Sequence, residues 1–338
     1  MPEKINLLFD ASSIIEGFSS KDLHRSGIYW VAYNLLKQFS SSPAYKITLL
    51  SSPYDFFVRK RIVKHFQYSY NYMTFYDYDK CNNNIIIRKN KIRKTKNIIK
   101  ICYYVLRIIE SRAHIILSRG QKGKINNFDI FFSPRDCIPD MIRSIPSIKH
   151  FQVLHDCIPS IFKELYPFID LNHWYVNVVK MLNKETHYFC VSESTKSDFL
   201  RIFPEQLDKI KMFVTPNASS MNFSPQYNKE ILHRILKKYN ALPGVSACYI
   251  FSLCTIEPRK NLVFTIKCFI EFLKKYHIDN FYFYLGGGYF PDYIDQFKQV
   301  VNDFSEYQNK IIMLGYVDDE DANVLYSNSL FFIFLSQY

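Results

Sequence analysis

The stretch "ACYIFSLCTIEPRKNLVFTIKCFIEFLKKY", residues 247–276, contains the pattern that is most informative about the fold class. An apolar run over 247–253 predicts a buried strand, and apolar residues recur at helical spacing over 261–276. A short turn with an acid, a proline and two adjacent cations joins them. A strand followed at once by an amphipathic helix is typical of parallel α/β sheets, which bind ligands at the carboxyl ends of their strands.

Strand-like and helix-like segments alternate on both sides of this unit and indicate two domains. We expect an α/β protein with two Rossmann-like parallel-sheet domains, residues 1–217 and 246–338. The looser, polar pattern of 218–245, which includes one short polar helix, predicts a linker between them. A strand at 330–335 would close the second alternating series.

Cysteine spacing and the lengths of the apolar runs indicate the cellular compartment in which the protein resides. None of the eight cysteines forms a C-x-x-C pair or stands near histidine at metal-ligand spacing. The start "MPEKINLLFD" predicts a strand rather than a signal peptide, and no apolar run reaches the ~18 residues that span a bilayer. We therefore expect a cytoplasmic protein without metal or cofactor.

The net charge of +12 is concentrated in one segment. Residues 85–124 hold twelve Lys and Arg but one acid, Glu110, a net charge of +11. Basic amphipathic helices bind anionic membranes, so the segment predicts a membrane or acceptor face. The alternatives are a nucleic-acid surface and a solvated helix pair with an apolar inner face. The cations of the predicted face are Arg88, Lys89, Lys91, Arg93, Lys94, Lys96 and Lys100.

The turn "CTIEPRKNL" predicts a diphosphate site. A helix start carries unpaired backbone N–H groups and partial positive charge, so Arg259 and Lys260 are unfavourable there unless an anion is bound. Arginine offers a planar fork to phosphate and lysine a mobile point charge. The alternative is an exposed charged turn in which Glu257 pairs locally.

Six motifs support one family when taken in chain order. They are "SGIYWVAYNLL" (26–36), "VLHDCIPSIFKELYP" (153–167), "VSESTKSDFL" (191–200), "TIEPRKNL" (255–262), "FYLGGG" (283–288) and "LGYVDDEDANVLYSNSLFFIFLS" (314–336). This ordered set resembles family 4 glycosyltransferases, across nearly the whole chain apart from about 54–127. The resemblance implies a GT-B fold, in which two Rossmann-like domains face a cleft.

The resemblance also implies roles for individual residues. Arg259 and Lys260 would hold the donor diphosphate and offset its charge as it leaves. His155 matches the family's histidine that faces the donor sugar; the alternative is a hydrogen-bonded histidine at a strand end.

Three further residues would contact the donor. Gly27 matches a small residue in the first loop, where backbone must approach the phosphates; the alternative is a glycine at a helix start. Tyr316 and Val317 match the segment whose backbone contacts the base. Ser192 and Asn217 lie on neighbouring loops, and we expect structural roles for both.

The implied chemistry is transfer of a sugar from a nucleoside diphosphate sugar, with retention at the anomeric carbon and without metal. The form "IEPRKN" resembles mannosyltransferases of this family, so the expected donor is GDP-mannose. The expected acceptor is a lipid-linked or growing glycan of bacterial surface polysaccharide, made at the inner face of the cytoplasmic membrane.

The chain departs from the family's pattern in two places. Cys254 stands where the family often has glycine, and its side chain would narrow the donor pocket. The sequence stops at "FIFLSQY", where the family continues into two glutamates that contact the donor. We therefore expect weak donor binding, and an inactive membrane-bound scaffold is an alternative function.

The stretch "FYDYDK" suggests a different enzyme class. An acidic D-x-D after an apolar strand, here Asp77 and Asp79, is how metal-dependent GT-A transferases hold Mn²⁺ and the donor diphosphate. That alternative leaves the second alternating half of the chain unexplained.

Overall fold

The computed structural model divides the chain into two compact units, Met1–Asn217 and Ala218–Tyr338. The residues that the structure describes are 3–19, 27–51, 71–74, 89–95, 97–118, 122–166, 173–219, 223–241 and 248–338. Asp77 and Asp79 lie outside the described residues.

The first unit is built on a parallel sheet in the order β3-β2-β1-β4-β5-β6-β7. Its strands are β1 Ile5–Asp10, β2 Tyr45–Ser51, β3 Asn71–Thr74, β4 Ile130–Ser133, β5 Lys149–Leu154, β6 His187–Cys190 and β7 Met212–Val214. Its helices are α1 Ser12–Ser19, α2 Gly27–Ser41, α3 Ile98–Ser118, α4 Lys122–Ile125, α5 Asp140–Arg143, α6 Ile158–Ile161, α7 Trp174–Lys180 and α8 Glu193–Ile202.

The second unit is built on a parallel sheet in the order β10-β9-β8. Its strands are β8 Cys248–Leu253, β9 Phe281–Gly286 and β10 Ile311–Gly315. Its helices are α9 Lys229–Lys238, α10 Leu262–Tyr276, α11 Pro291–Asp303 and α12 Asp319–Asn328. Short 3₁₀ turns occur at Lys163–Leu165 and Lys209–Lys211 in the first unit, and at Pro258–Lys260 and Ser305–Lys310 in the second.

Each unit buries a core of its own. In the first, Leu7 and Phe9 of β1 pack with Ile14 of α1 and Ala32 of α2. In the second, the apolar stripe of α10, represented by Ile266, packs on β9. Burial of apolar side chains on the sheet faces is the main stabilising term in such folds. The predicted α/β fold with parallel sheets is confirmed.

Two segments differ from their predicted form. The predicted strand at 330–335 is a single bridge between Phe332 and Phe251, because few backbone groups pair and residues such as Leu330 stay exposed. The predicted linker 218–245 contains α9, which belongs to the second unit because it buries Ile235 and Leu236 in that unit's core.

Candidate functional site

The carboxyl end of the second sheet brings three loops together through their backbones. Cys254 N, after β8, donates to Gly286 O at 3.0 Å, and Gly287 N donates to Gly315 O at 2.7 Å. Gly287 has a φ of +125°, and a Cβ there would lie 2.0 Å from the carbonyl oxygen of Cys254. Only glycine satisfies both conditions, so Gly287 fixes how closely these loops approach.

Arg259 lies in the 3₁₀ turn that precedes α10, where it is fixed by its neighbours. Its Nη2 is 2.8 Å from Oε1 of Glu257, a residue that is only 4% exposed. Its Nη1 donates to the carbonyl oxygen of Tyr338 at 3.1 Å and lies 3.5 Å from the Ser336 hydroxyl. The local pairing with Glu257 is therefore present, and it gives the guanidinium a fixed position at the start of the helix.

Lys260 extends the positive charge of the same turn. Its Nζ lies 4.4 Å from the ring centroid of Phe334, within cation–π distance. Asn261 follows in the left-handed region (φ 56°) and makes no side-chain cap on α10. With Glu257, Arg259 and Lys260 together, the turn carries a net charge of +1 next to the positive end of a fifteen-residue helix.

The remaining predicted donor contacts lie in both units. Gly27 is the first residue of α2, and a Cβ there would meet no atom within 4 Å in the part of the chain that the structure describes. Tyr316 and Val317 follow β10; the Val317 side chain is buried, and its Cγ2 would lie 2.7 Å from a Cβ on Gly286. The Val317 side chain therefore packs in the core, so only the backbone of this residue can make the predicted contact with the nucleotide base.

His155 follows β5 at the carboxyl end of the first sheet. Its Nε2 lies 2.7 Å from the carbonyl oxygen of Pro134, so that nitrogen carries the hydrogen. Burial lowers the pKa of His155 although that hydrogen bond opposes the change, so the ring is neutral near pH 7 and Nδ1 is an acceptor. The backbone of His155 is also fixed, because its carbonyl oxygen accepts from Thr195 Oγ1 at 2.9 Å.

A buried carboxylate, Asp10, ends strand β1, which is separated from β5 by β4, and was not among the predicted site residues. Its Oδ1 accepts from the backbone N–H of Ser12 at 3.0 Å, and its Oδ2 lies 3.2 Å from Ser133 Oγ. Burial, then repulsion from Asp136, raise the pKa of Asp10 to about 6. An acid directly after the apolar run "INLLF" is the signal that could have identified it.

Arg135 organises the loop after β4. It contacts both oxygens of Asp136 at 2.8–3.0 Å and both oxygens of Glu16 at 2.5–3.0 Å. Burial opposes the charge of Arg135, but the Glu16 and Asp136 carboxylates raise its pKa overall. Its guanidinium lies 5.9 Å from the ring centroid of Trp174. With Asp10, this edge of the first sheet carries more carboxylates than cations, so it is suited to hydroxyl groups rather than phosphates.

The two residues expected to be structural differ in their surroundings. Ser192 caps α8, where its hydroxyl accepts from Thr195 N at 3.0 Å, which is a structural role. Asn217 is exposed at the end of the first unit.

The cations of the predicted membrane face lie before and within α3. Lys89, Lys91, Arg93 and Lys94 are exposed in a helical segment at 89–94, and Lys100 is exposed at the start of α3. Arg88 and Lys96 lie outside the described residues. In the described parts of the chain, no helix is both long and apolar enough to cross a membrane. Over the same residues, no cluster of His, Cys, Asp and Glu could hold a metal ion.

Comparison with known proteins gives distant relatives. No model of a protein family matches the chain. Over 192 residues, 54% of this chain, the sequence is 24% identical to the serotype-specific mannosyltransferase WbdA of Escherichia coli. The match covers 22% of WbdA, so the chain corresponds to a small part of that relative.

Solved structures match nearly the whole chain. A glycosyltransferase from Rickettsia africae ESF-5 has a TM-score of 0.54 at 20% identity, over 99% of this chain and 73% of its own. Anabaena Alr3699/HepE, solved with UDP-glucose, has a TM-score of 0.59 at 12% identity over 98% and 74%. WaaG, a glycosyltransferase involved in lipopolysaccharide biosynthesis, has a TM-score of 0.56 at 9% identity over 98% and 75%.

These matches give the chain the fold of GT-B glycosyltransferases. The resemblance to glycosyltransferases of the GT-B fold, predicted from the motifs, is confirmed. Membership of family 4 in particular remains a prediction. The GT-A alternative, based on Asp77 and Asp79, does not fit the fold that is observed.

Proposed function

We propose that this protein is a retaining glycosyltransferase that takes a sugar from a nucleoside diphosphate sugar, without a metal ion. The observation that carries the proposal is the turn of Arg259 and Lys260 at the start of α10, placed at the carboxyl end of a GT-B sheet. Sugar transfer leaves negative charge on the departing diphosphate. Positive charge that is already in position stabilises that product and the transition state that leads to it.

The contacts of Arg259 fit this role. Glu257 holds the guanidinium, so little side-chain entropy remains to be lost when an anion binds. Glu257 is itself nearly buried, so its carboxylate has a fixed position beside the guanidinium. The net positive charge of the turn remains after this pairing, and the first N–H groups of α10 add to it.

The first unit supplies hydroxyl-binding groups. Neutral His155 presents Nδ1 as an acceptor, because Nε2 is committed to the Pro134 carbonyl oxygen. A sugar hydroxyl is a suitable donor to that nitrogen, and a phosphate oxygen is not. We therefore assign His155 to the donor sugar and Arg259 with Lys260 to its diphosphate, while the backbone at Tyr316 and Val317 contacts the base.

The donor and the acceptor are proposed from the relatives. WbdA is named a mannosyltransferase, which supports GDP-mannose as the donor. WaaG is described as acting in lipopolysaccharide biosynthesis, which supports a lipid-linked or growing glycan of surface polysaccharide as the acceptor. Such an acceptor is presented at the inner face of the cytoplasmic membrane, where we place the protein as a peripheral enzyme.

Titration calorimetry without metal tests the donor site. The protein is titrated with GDP, UDP, GDP-mannose and UDP-glucose, and we expect saturable binding of the guanine series. The double variant Arg259→Ala/Lys260→Ala should weaken binding at least tenfold, because two charge-assisted contacts are lost. Adding Mn²⁺ should not restore binding.

The matched control is Lys274→Ala/Lys275→Ala, which removes the same charge from the last turn of α10. Equal loss of binding in both double variants would show that net charge, and not the turn, is responsible. Binding of the uracil series would reject GDP-mannose but keep the site. Binding by none of the four ligands would reject the diphosphate site.

A second variant tests the approach of a ligand to Gly27. Alanine there meets no atom of the described chain and improves helix propensity, so Gly27→Ala should leave stability unchanged or raise it by up to ~1 kcal/mol. Nucleotide affinity should nevertheless fall, if phosphates approach this backbone. An unchanged nucleotide affinity would show that Gly27 is not needed for donor binding and is only a glycine at the start of a helix.

A further inference from the structure

Helix α3, Ile98–Ser118, carries apolar residues on an exposed side as well as on its buried side. Ile108 is 9% exposed, and Ile101 and Tyr104 are half-buried at helical spacing from it. Six other large apolar residues of the helix are 43–81% exposed, in contrast to a solvated helix with an apolar inner face. They are Ile98, Ile99, Tyr103, Val105, Leu106 and Ile109.

These six residues share one side of the helix, on which the position of Glu110 falls between Ile99 and Tyr103 near one end. At about 100° per residue they fall within an arc of about 160°, in the angular order Val105, Ile98, Ile109, Leu106, Ile99 and Tyr103. Cys102 and Ala113, both exposed, lie in the middle of the same arc. We call this surface the apolar arc. A patch of this kind on a protein surface marks an interaction site.

Cations border the apolar arc on both sides. On the same helical projection, Arg112 lies about 20° beyond Val105 at one edge, and Arg107 and Lys100 lie about 40–60° beyond Tyr103 at the other. The preceding helical segment adds four exposed cations, Lys89 among them. An apolar centre with cationic margins is the pattern of helices that lie in the plane of an anionic membrane.

The charge decides between possible occupants. A second copy would place one +11 segment against another, which repels. Nucleic acid would neutralise the cations but would leave Ile99, Leu106 and Ile109 in water. An anionic bilayer can bind both the cations and the apolar residues, because its headgroups attract the cations and its acyl chains can bury the apolar arc.

We propose that the apolar arc of α3 inserts at the headgroup boundary of an anionic bilayer and holds the first unit on the membrane. The proposal deepens the proposed function, on which it rests for the presence of a lipid-linked acceptor. Membrane binding and nucleotide binding are nevertheless separate measurements.

Flotation with lipid vesicles tests the proposal on the full chain. Vesicles of phosphatidylcholine alone are compared with vesicles that contain about a third phosphatidylglycerol, at low and high salt. We expect strong binding to the anionic vesicles, weaker in high salt. The variant Ile99→Gln/Leu106→Gln/Ile109→Gln, which keeps good helix formers, should lower the partition coefficient at least tenfold.

The matched control replaces three exposed apolar residues that are scattered over the chain. Ile210, Tyr227 and Leu330 are 84%, 74% and 62% exposed, and changing all three to Gln should alter vesicle binding less than twofold. Circular dichroism confirms that both triple variants are folded. Equal losses in the two variants, or no vesicle binding by the unchanged protein, would overturn the proposal.

A fluorophore on cysteine locates the inserted surface. Cys102 lies in the apolar arc, and Cys268 is exposed on α10. The emission of a polarity-sensitive dye should shift to shorter wavelength with anionic vesicles when the dye is on Cys102 and not when it is on Cys268.

Sedimentation measures whether the arc binds a second copy instead. A dimer that is lost in the apolar-arc variant would assign the arc to a second copy and reject the membrane. Normal nucleotide binding alongside absent vesicle binding would reject this inference alone.

Discussion

The protonation of the buried Asp10 carboxyl is linked to the hydrogen bonds of Ser133. Ser133 Oγ lies 2.6 Å from the Asp136 carbonyl oxygen and 3.2 Å from Asp10 Oδ2, and both partners are acceptors. Ser133 has one hydrogen, so it can donate to only one of them. When it donates to the closer carbonyl, a proton on Asp10 completes the chain of hydrogen bonds, in agreement with the raised pKa of that carboxyl.

The first prediction concerns Asp10→Asn. The pKa of Asp10 is about 6 in the fold and 3.8 ordinarily, so the fold favours the protonated form. That contribution is complete below about pH 4 and is lost as the pH rises to about 6. Because asparagine stays neutral, the variant should gain stability relative to the unchanged protein over this window, by roughly 3 kcal/mol at pH 7.

Urea unfolding between pH 4.5 and 7.5 measures the difference. The substitution Asp295→Asn, at an exposed position on α11, controls for the loss of one negative charge. If the free energies of unfolding of Asp10→Asn and the unchanged protein changed with pH in parallel, the pKa of Asp10 would not be raised by folding, and the prediction would be wrong.

At the scale of elements, the loops at the carboxyl end of the second sheet depend on one backbone conformation. Gly287 approaches the Cys254 carbonyl oxygen at φ +125°, whereas Gly288 has open space and no positive φ. Gly287→Ala should therefore destabilise the second unit by about 2–4 kcal/mol, and Gly288→Ala by less than about 0.5 kcal/mol. Thermal unfolding of the two variants measures this difference between neighbouring glycines. Similar losses of stability in both would show that the close approach of Gly287 to Cys254 does not contribute to the stability of the second unit.

The strand predicted at 247–253 and the helix predicted at 261–276 agree closely with β8 and α10, for physical reasons. Strands β8, β9 and β10 are short apolar runs, and α10 shows helical spacing, so local pattern and global burial agree. The predicted strand at 330–335 is equally apolar, but burial there depends on pairing along a whole strand edge, which the local sequence does not encode.

The site was harder to predict than the fold. Arg259 was found because its neighbours match a motif, but the Glu257 contact depends on the path of the turn. Asp10 is far from Ser133 and Asp136 in sequence and meets them only because β1 and β4 pair. Single sequence patterns cannot show such a meeting of residues from different strands.

For the molecule as a whole, two independent cores predict two independent folding units. The boundary after Asn217 leaves all of β1–β7 in one piece and β8–β10 in the other. We expect residues 1–217 and 218–338, produced separately, each to unfold cooperatively on heating. Far-ultraviolet circular dichroism provides the measurement. A piece that shows no transition would mean that its fold depends on the other.

The exposed surface of α3 has a practical consequence at the bench. A helix that presents Ile98, Ile99 and Leu106 to solvent beside many cations will adsorb to phenyl resins, to plastic and to cell debris. Purification should therefore begin from the pellet as well as the supernatant, with mild detergent and raised salt during lysis. Yield from a detergent-free extract would underestimate how much folded protein the cells contain.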